Sequence, residues 1–122
     1  MELLDDPSGV RIIVLSGEQD LSSAGSLRLA FAGAREAGRA VVVELSVVSF
    51  IDSTILGAIV GGLRDCKEDG RGFAVVASSS HDEQVPRVLG MTGLEAVFPV
   101  YESRRVAVES AAAGRNAPPR VH

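Results

Sequence analysis

Tryptophan is absent from this chain of 122 residues, and aromatic residues are scarce at 4%. With hydrophobic residues at 46%, any core has to be filled mainly by Val, Leu, Ile and Ala. A single cysteine, Cys66, excludes an internal disulfide and offers no cysteine cluster for zinc. The opening MELLDDPSG has neither the basic start nor the apolar stretch of a signal peptide. No apolar run approaches the roughly 20 residues of a membrane-spanning helix. Twelve Lys and Arg stand against sixteen Asp and Glu, a formal charge of −4, and no basic cluster is interleaved with aromatics. Nucleic-acid binding therefore has no support. These absences lead to the expectation of a soluble, cytoplasmic protein with no membrane partner.

Catalytic signatures are missing too. Neither G-x-x-x-x-G-K-[ST] nor G-x-G-x-x-G occurs, and Gly61-Gly62 falls inside a helical pattern, so no phosphate-cradling loop or nucleotide cofactor is expected. Of the two histidines, His122 is terminal and His81 sits in a polar stretch without a ligand partner at metal spacing. Ser53, His81 and Asp20 make a triad only on paper, because Ser53 lacks the G-x-S-x-G elbow. Cys66 reads as a small apolar residue rather than a redox switch. No metal, cofactor or enzymatic activity is expected.

What is present is an alternation of strand and helix signals. Met1 to Leu4 reads as a short edge strand, and Asp5-Asp6-Pro7-Ser8-Gly9 as a turn. Val10 to Ser16 is a strand. Ser22 or Ser23 can cap a helix whose Ala24, Leu27, Phe31 and Ala34 share one face, with its stop at Gly38. Ala40 to Leu45 is the most apolar strand. Thr54 to Glu68 is helical, with Asp69-Gly70 as its stop. Phe73 to Ala77 and Val97 to Val100 are short strands. A helix is expected over residues 83–91, and another from the cap at Ser103 to Ala112. Gly114 to His122 reads as a disordered tail. The order β, β, α, β, α, β, α, β, α predicts one α/β domain over residues 1–112, with 113–122 outside it. Its central sheet is mixed and mostly parallel, of 4–5 strands with about four helices.

The pivot is Phe50-Ile51-Asp52-Ser53-Thr54, where the apolar period changes from that of a buried strand to that of a helix. Ser53 stands at an expected N-cap. A helix start carries about half a positive charge and free N–H groups, a suitable place for a phosphate.

Three stretches carry a resemblance to the STAS-domain family, specifically its small bacterial anti-sigma factor antagonists. Gly17-Glu18-Gln19-Asp20 is similar to the family's G-E-[IL]-D loop. Phe50-Ile51-Asp52-Ser53-Thr54-Ile55-Leu56-Gly57 is similar to its phosphorylation motif F-[ILM]-D-S-[ST]-G-[LI]-G. Thr92-Gly93-Leu94 followed by Val97-Phe98-Pro99-Val100-Tyr101 is similar to its closing pattern. The resemblance implies a transcription regulator, in settings such as stress response, that works by partner switching. It would bind an anti-sigma factor that is a GHKL-type serine kinase, and so free a sigma factor. Phosphorylation of Ser53 would end binding, and a PPM-type serine phosphatase would restore it. The implied partner-binding residues are Asp20, Asp52, Ser53, Thr54, Ile55 and Gly57. Two positions depart from the pattern. Gln19 replaces an apolar residue, and Ile55 replaces a glycine, which is expected to put an apolar group on the surface at the helix start. The alternatives are a STAS interaction or scaffold module that works without phosphorylation, with Cys66 as a redox sensor in one version, or a module that binds a small ligand or nucleotide.

Overall fold

Two apolar, β-branched runs form the centre of the sheet. In the computed structural model, which describes residues 1–19, 21–77 and 98–118, β1 is Glu2–Asp6 and β2 is Val10–Gln19. They are followed by α1 (Leu21–Glu36), β3 (Ala40–Ile51), α2 (Ser53–Asp69), β4 (Phe73–Val76), β5 (Val100–Tyr101) and α3 (Arg104–Ala112). The sheet has five strands in the order β1-β2-β3-β4-β5, antiparallel between β1 and β2 and parallel elsewhere. This is the mixed α/β architecture expected, with three helices among the described residues. The helix expected over 83–91 lies outside them.

Alternation along each strand divides the core between the two faces. Ile13, Leu15, Val41, Val43, Leu45, Phe73 and Val75 pack under α1 and α2. Val10, Ile12, Val42, Ala74 and Val76 face α3 through Ala107 and Ala111. Glu44 also points to the α3 face, where Arg104 meets it in two bonds of 2.6 and 2.9 Å. The Tyr101 hydroxyl lies 2.9 Å from Ser110 Oγ, giving that buried hydroxyl its partner. Gly72, just before β4, allows a close approach to α3, because a Cβ there would lie 1.8 Å from the Ala111 carbonyl oxygen.

Several boundaries differ from expectation. β1 continues through Asp6, leaving only Pro7, Ser8 and Gly9 for the turn. The helix α1 begins at Leu21, so Ser22 and Ser23 are helical residues and not caps. The cap at Ser103 is present, with its side chain accepting from the Val106 N–H at 3.4 Å. The last strand is Val100–Tyr101 and not 97–100. Part of the expected tail is bound to the domain. The Arg115 carbonyl accepts from the Phe73 N–H at 2.9 Å, and the Asn116 amide donates to the Arg71 carbonyl at 2.9 Å. Backbone groups at the start of β4 need partners, and this segment supplies them.

The largest difference is in β3, which runs six residues beyond the expected end at Leu45, to Ile51. Its pairing with β4 stops at Glu44, while its pairing with β2 continues to Gln19 opposite Ile51. Two register shifts occur in this extension, between Val14 and Ser16 and between Gly17 and Glu18, each giving β3 one extra residue. Gly17 has φ +69°, a left-handed conformation that only glycine adopts cheaply, beside the second shift. The result is a bulged two-stranded ribbon, β2 with β3, whose ends are level one residue before Asp52.

Candidate functional site

The site forms where this ribbon delivers the chain into α2. Asp52 is extended, with φ −100° and ψ 176°, and caps the helix. Its Oδ1 accepts from the Ile55 N–H at 3.0 Å, and its carbonyl accepts from the Leu56 N–H at 3.1 Å. The expected cap, Ser53, is instead the first helical residue. Asp and Ser rank alike as N-caps, so type alone does not choose between adjacent candidates; the extended backbone at Asp52 does. Ser53 is exposed, and among the described residues its hydroxyl makes no hydrogen bond. An exposed hydroxyl thus sits at the positive end of a 17-residue helix, beside a carboxylate committed to holding that end.

Thr54 and Asp52 are half-buried and Gly57 is exposed, one turn beyond Ser53. Ile55 corrects the sequence reading. It is 0% exposed and belongs to the core with Ile59, Leu63 and Cys66, so it cannot touch a partner directly. Its helical phase explains this. Residues 55, 59, 63 and 66 share a stripe, and that spacing is visible in the sequence. The replacement of glycine is accommodated inward. Asp20 lies outside the described residues; the register places Gln19 opposite Ile51.

From Gly57 a shallow cleft of about 320 Å³ runs between α1 and α2. Its floor includes Phe31, Gly61 and Gly62, and Arg28 and Arg64 stand on its walls. Neither arginine has an ion pair among the described residues. At the far end Arg35 is engaged by Asp65, Glu68 and Asp69. Sequence reading passed over Arg28 and Arg64. Their signal was a basic residue next to the small residues that let two helices approach.

Cys66 is buried at 1% exposure, and desolvation pushes its thiol up to about 11 against the opposing pull of the Arg71 charge. A thiol so placed holds almost no thiolate at neutral pH, which argues against a redox sensor here. No group of three or more metal-ligating side chains occurs among the described residues. No helix there is long and apolar enough to cross a membrane.

Comparison with known proteins finds relatives of this fold. A family model for the STAS domain matches residues 4–107. The anti-sigma F factor antagonist of Paenibacillus polymyxa is 32% identical over 97 residues, covering 78% of this chain and 80% of that protein. An anti-sigma factor antagonist from Mycobacterium paratuberculosis superposes with a TM-score of 0.76 at 30% identity, covering 90% of this chain and 92% of the other. The antagonist SpoIIAA in its unphosphorylated form gives a TM-score of 0.74 at 19% identity, covering 88% and 92%. Its phosphorylated form, from Bacillus, gives 0.65 at 19% identity, covering 88% and 96%.

Proposed function

Since the chain belongs to the STAS-domain family and is similar to its anti-sigma factor antagonists, we propose that it binds an anti-sigma factor and is released from it by phosphorylation of Ser53. The observation that carries this reading is the division of labour at the start of α2. Asp52 caps the helix, which leaves the Ser53 hydroxyl exposed and without a structural task. SpoIIAA, a protein of the same fold, occurs in unphosphorylated and phosphorylated forms.

In this reading the partner is a GHKL-type serine kinase, a PPM-type serine phosphatase reverses the modification, and the consequence of binding is release of a sigma factor in the cytoplasm. The protein acts as a regulator and not as an enzyme. A phosphate on Ser53 adds about 1.5 to 2 negative charges and three acceptor oxygens. The helix N-terminus tolerates them, so the fold persists. A partner docked over Ser53 has to desolvate the same charge next to the Asp52 carboxylate, and each 1.4 kcal/mol so lost weakens binding about tenfold. Thr54 and Gly57 flank the serine, and Asp20 is kept as a partner-binding residue on the family resemblance alone. The cleft walls at Arg28 on α1 and Arg64 on α2 extend the contact between the two helices, where they favour an acidic partner surface.

The test is incubation with ATP and each GHKL-type anti-sigma kinase of the source organism, followed by intact mass and site mapping. One phosphate on Ser53, absent from Ser53→Ala and accompanied by loss of kinase binding, is the expected result. A phosphate elsewhere, or neither phosphate nor binding with any kinase, overturns the proposal.

A further inference from the structure

Among the described residues the two faces of the sheet are unequally covered. Two helices, of 16 and 17 residues, lie on one face, while the nine residues of α3 lie on the other. Five strands at about 4.8 Å spacing span roughly 19 Å between the outer two. A helix with its side chains is about 10 Å across. The helix α3 packs chiefly on β4 and β3, through Ala107, Ser110 and Ala111. Among the described residues the β1–β2 half of that face is therefore left with a strip about one helix wide. The strip is a groove of about 750 Å³ whose floor and helix-side wall include Leu4, Ile12, Val108 and Ala112.

The chemistry of the walls identifies the occupant. On the helix side stands Arg105, 76% exposed and tied only to its own helix through Glu109, a pairing worth little at the surface. On the strand side stands the carboxylate of Asp6, which accepts from the Ser8 N–H and hydroxyl and has no cationic partner among the described residues. The apolar flank of α3 that lines the groove, Val108 and Ala112, is also the kind of surface that would fill it. Under a two-fold rotation the helix wall of one molecule meets the strand wall of the other, so Arg105 faces Asp6 twice and each α3 supplies the missing second helix. We propose that a second copy of this chain docks here, with the two α3 helices side by side between the two sheets.

This proposal does not rest on the switch at Ser53, because α3 and α2 cover opposite faces. The experiment is sedimentation velocity of the whole protein from micromolar to millimolar concentration, with far-UV circular dichroism as a check on folding. A concentration-dependent dimer is expected. Arg105→Asp, a change at an exposed position that leaves the fold intact, is expected to weaken it about tenfold. Arg105→Asp combined with Asp6→Arg in one chain restores it. Val108→Asp, which buries an unpaired charge in the contact, weakens it by more than about a hundredfold. A monomer at every concentration overturns the proposal, as does a dimer that all these substitutions leave unchanged. Phosphorylation of Ser53 is read separately by mass and is expected to be the same in Arg105→Asp as in the wild type.

Discussion

Replacing Asp52 and Ser53 by alanine, one at a time, separates what holds the helix from what is modified on it. In Asp52→Ala the Ile55 N–H loses its 3.0 Å acceptor. An N-cap of this kind is worth about 1 kcal/mol, and the negative charge at the helix start adds about 0.5 kcal/mol. Ile55 is 0% exposed in the first turn, so that turn cannot fray without exposing a side chain whose burial is worth about 2 kcal/mol. The loss is thus expected in global stability, at about 1.5 kcal/mol with an unchanged dependence on denaturant. For a domain of this size that is a fall in Tm of about 5 °C. Ser53→Ala removes an exposed hydroxyl with no partner among the described residues and is expected to stay within about 0.5 kcal/mol of the wild type. Asp52→Asn keeps an acceptor and falls between the two. Urea denaturation followed by circular dichroism reads all three. The reasoning fails if Ser53→Ala loses as much as Asp52→Ala, or if Asp52→Ala is silent.

Two further outcomes follow from packing. Gly72→Ala places a Cβ 1.8 Å from the Ala111 carbonyl oxygen, and since a Cβ is fixed to its backbone and that oxygen is itself backbone, α3 has to move; a loss of at least about 2 kcal/mol in urea is expected, and wild-type stability would disprove the close approach. The Cys66 thiol, raised from 9.0 to about 11 by burial, favours the neutral folded state, so its contribution to stability is complete below pH 9.0 and is lost as pH rises through about 11. A thiol-directed reagent at neutral pH is accordingly expected to label Cys66 only as fast as the protein unfolds, and rapid labelling of the native protein would contradict this.

The alternation of elements was legible because each signal was local. The β-branched run Val41-Val42-Val43 fills a strand buried on both faces, and Ala24, Leu27, Phe31 and Ala34 mark one face of a helix. The end of β3 was not legible. Among the described residues its extension to Ile51 is paired with β2 alone and carries two register shifts, and in the sequence only Gly17 in the neighbouring strand hints at the irregularity. At the site, Asp52 and Ser53 are equivalent by type as caps, and choosing between them takes backbone geometry. Ile55 was misread because it was compared with a family glycine; its spacing to Ile59, Leu63 and Cys66 already placed it inside. The pair Glu44–Arg104 joins residues sixty positions apart and has no local signature at all.

The strand order has a consequence for how the protein is made. From β1 to β5 each new strand joins the edge of the one before it, so the sheet can grow at one side as the ribosome delivers the chain. Among the described residues, the face bearing Val10, Ile12, Val42, Ala74 and Val76 gains its helical cover only when residues 104–112 emerge. The bond from the Phe73 N–H to the Arg115 carbonyl closes later still. Until then that apolar face of the nascent domain lacks α3, whose Ala107 and Ala111 pack on it. A stalled ribosome or a nonsense codon shortly before Arg104 would therefore release a nearly complete but adhesive chain, the kind of product that chaperones and proteases remove.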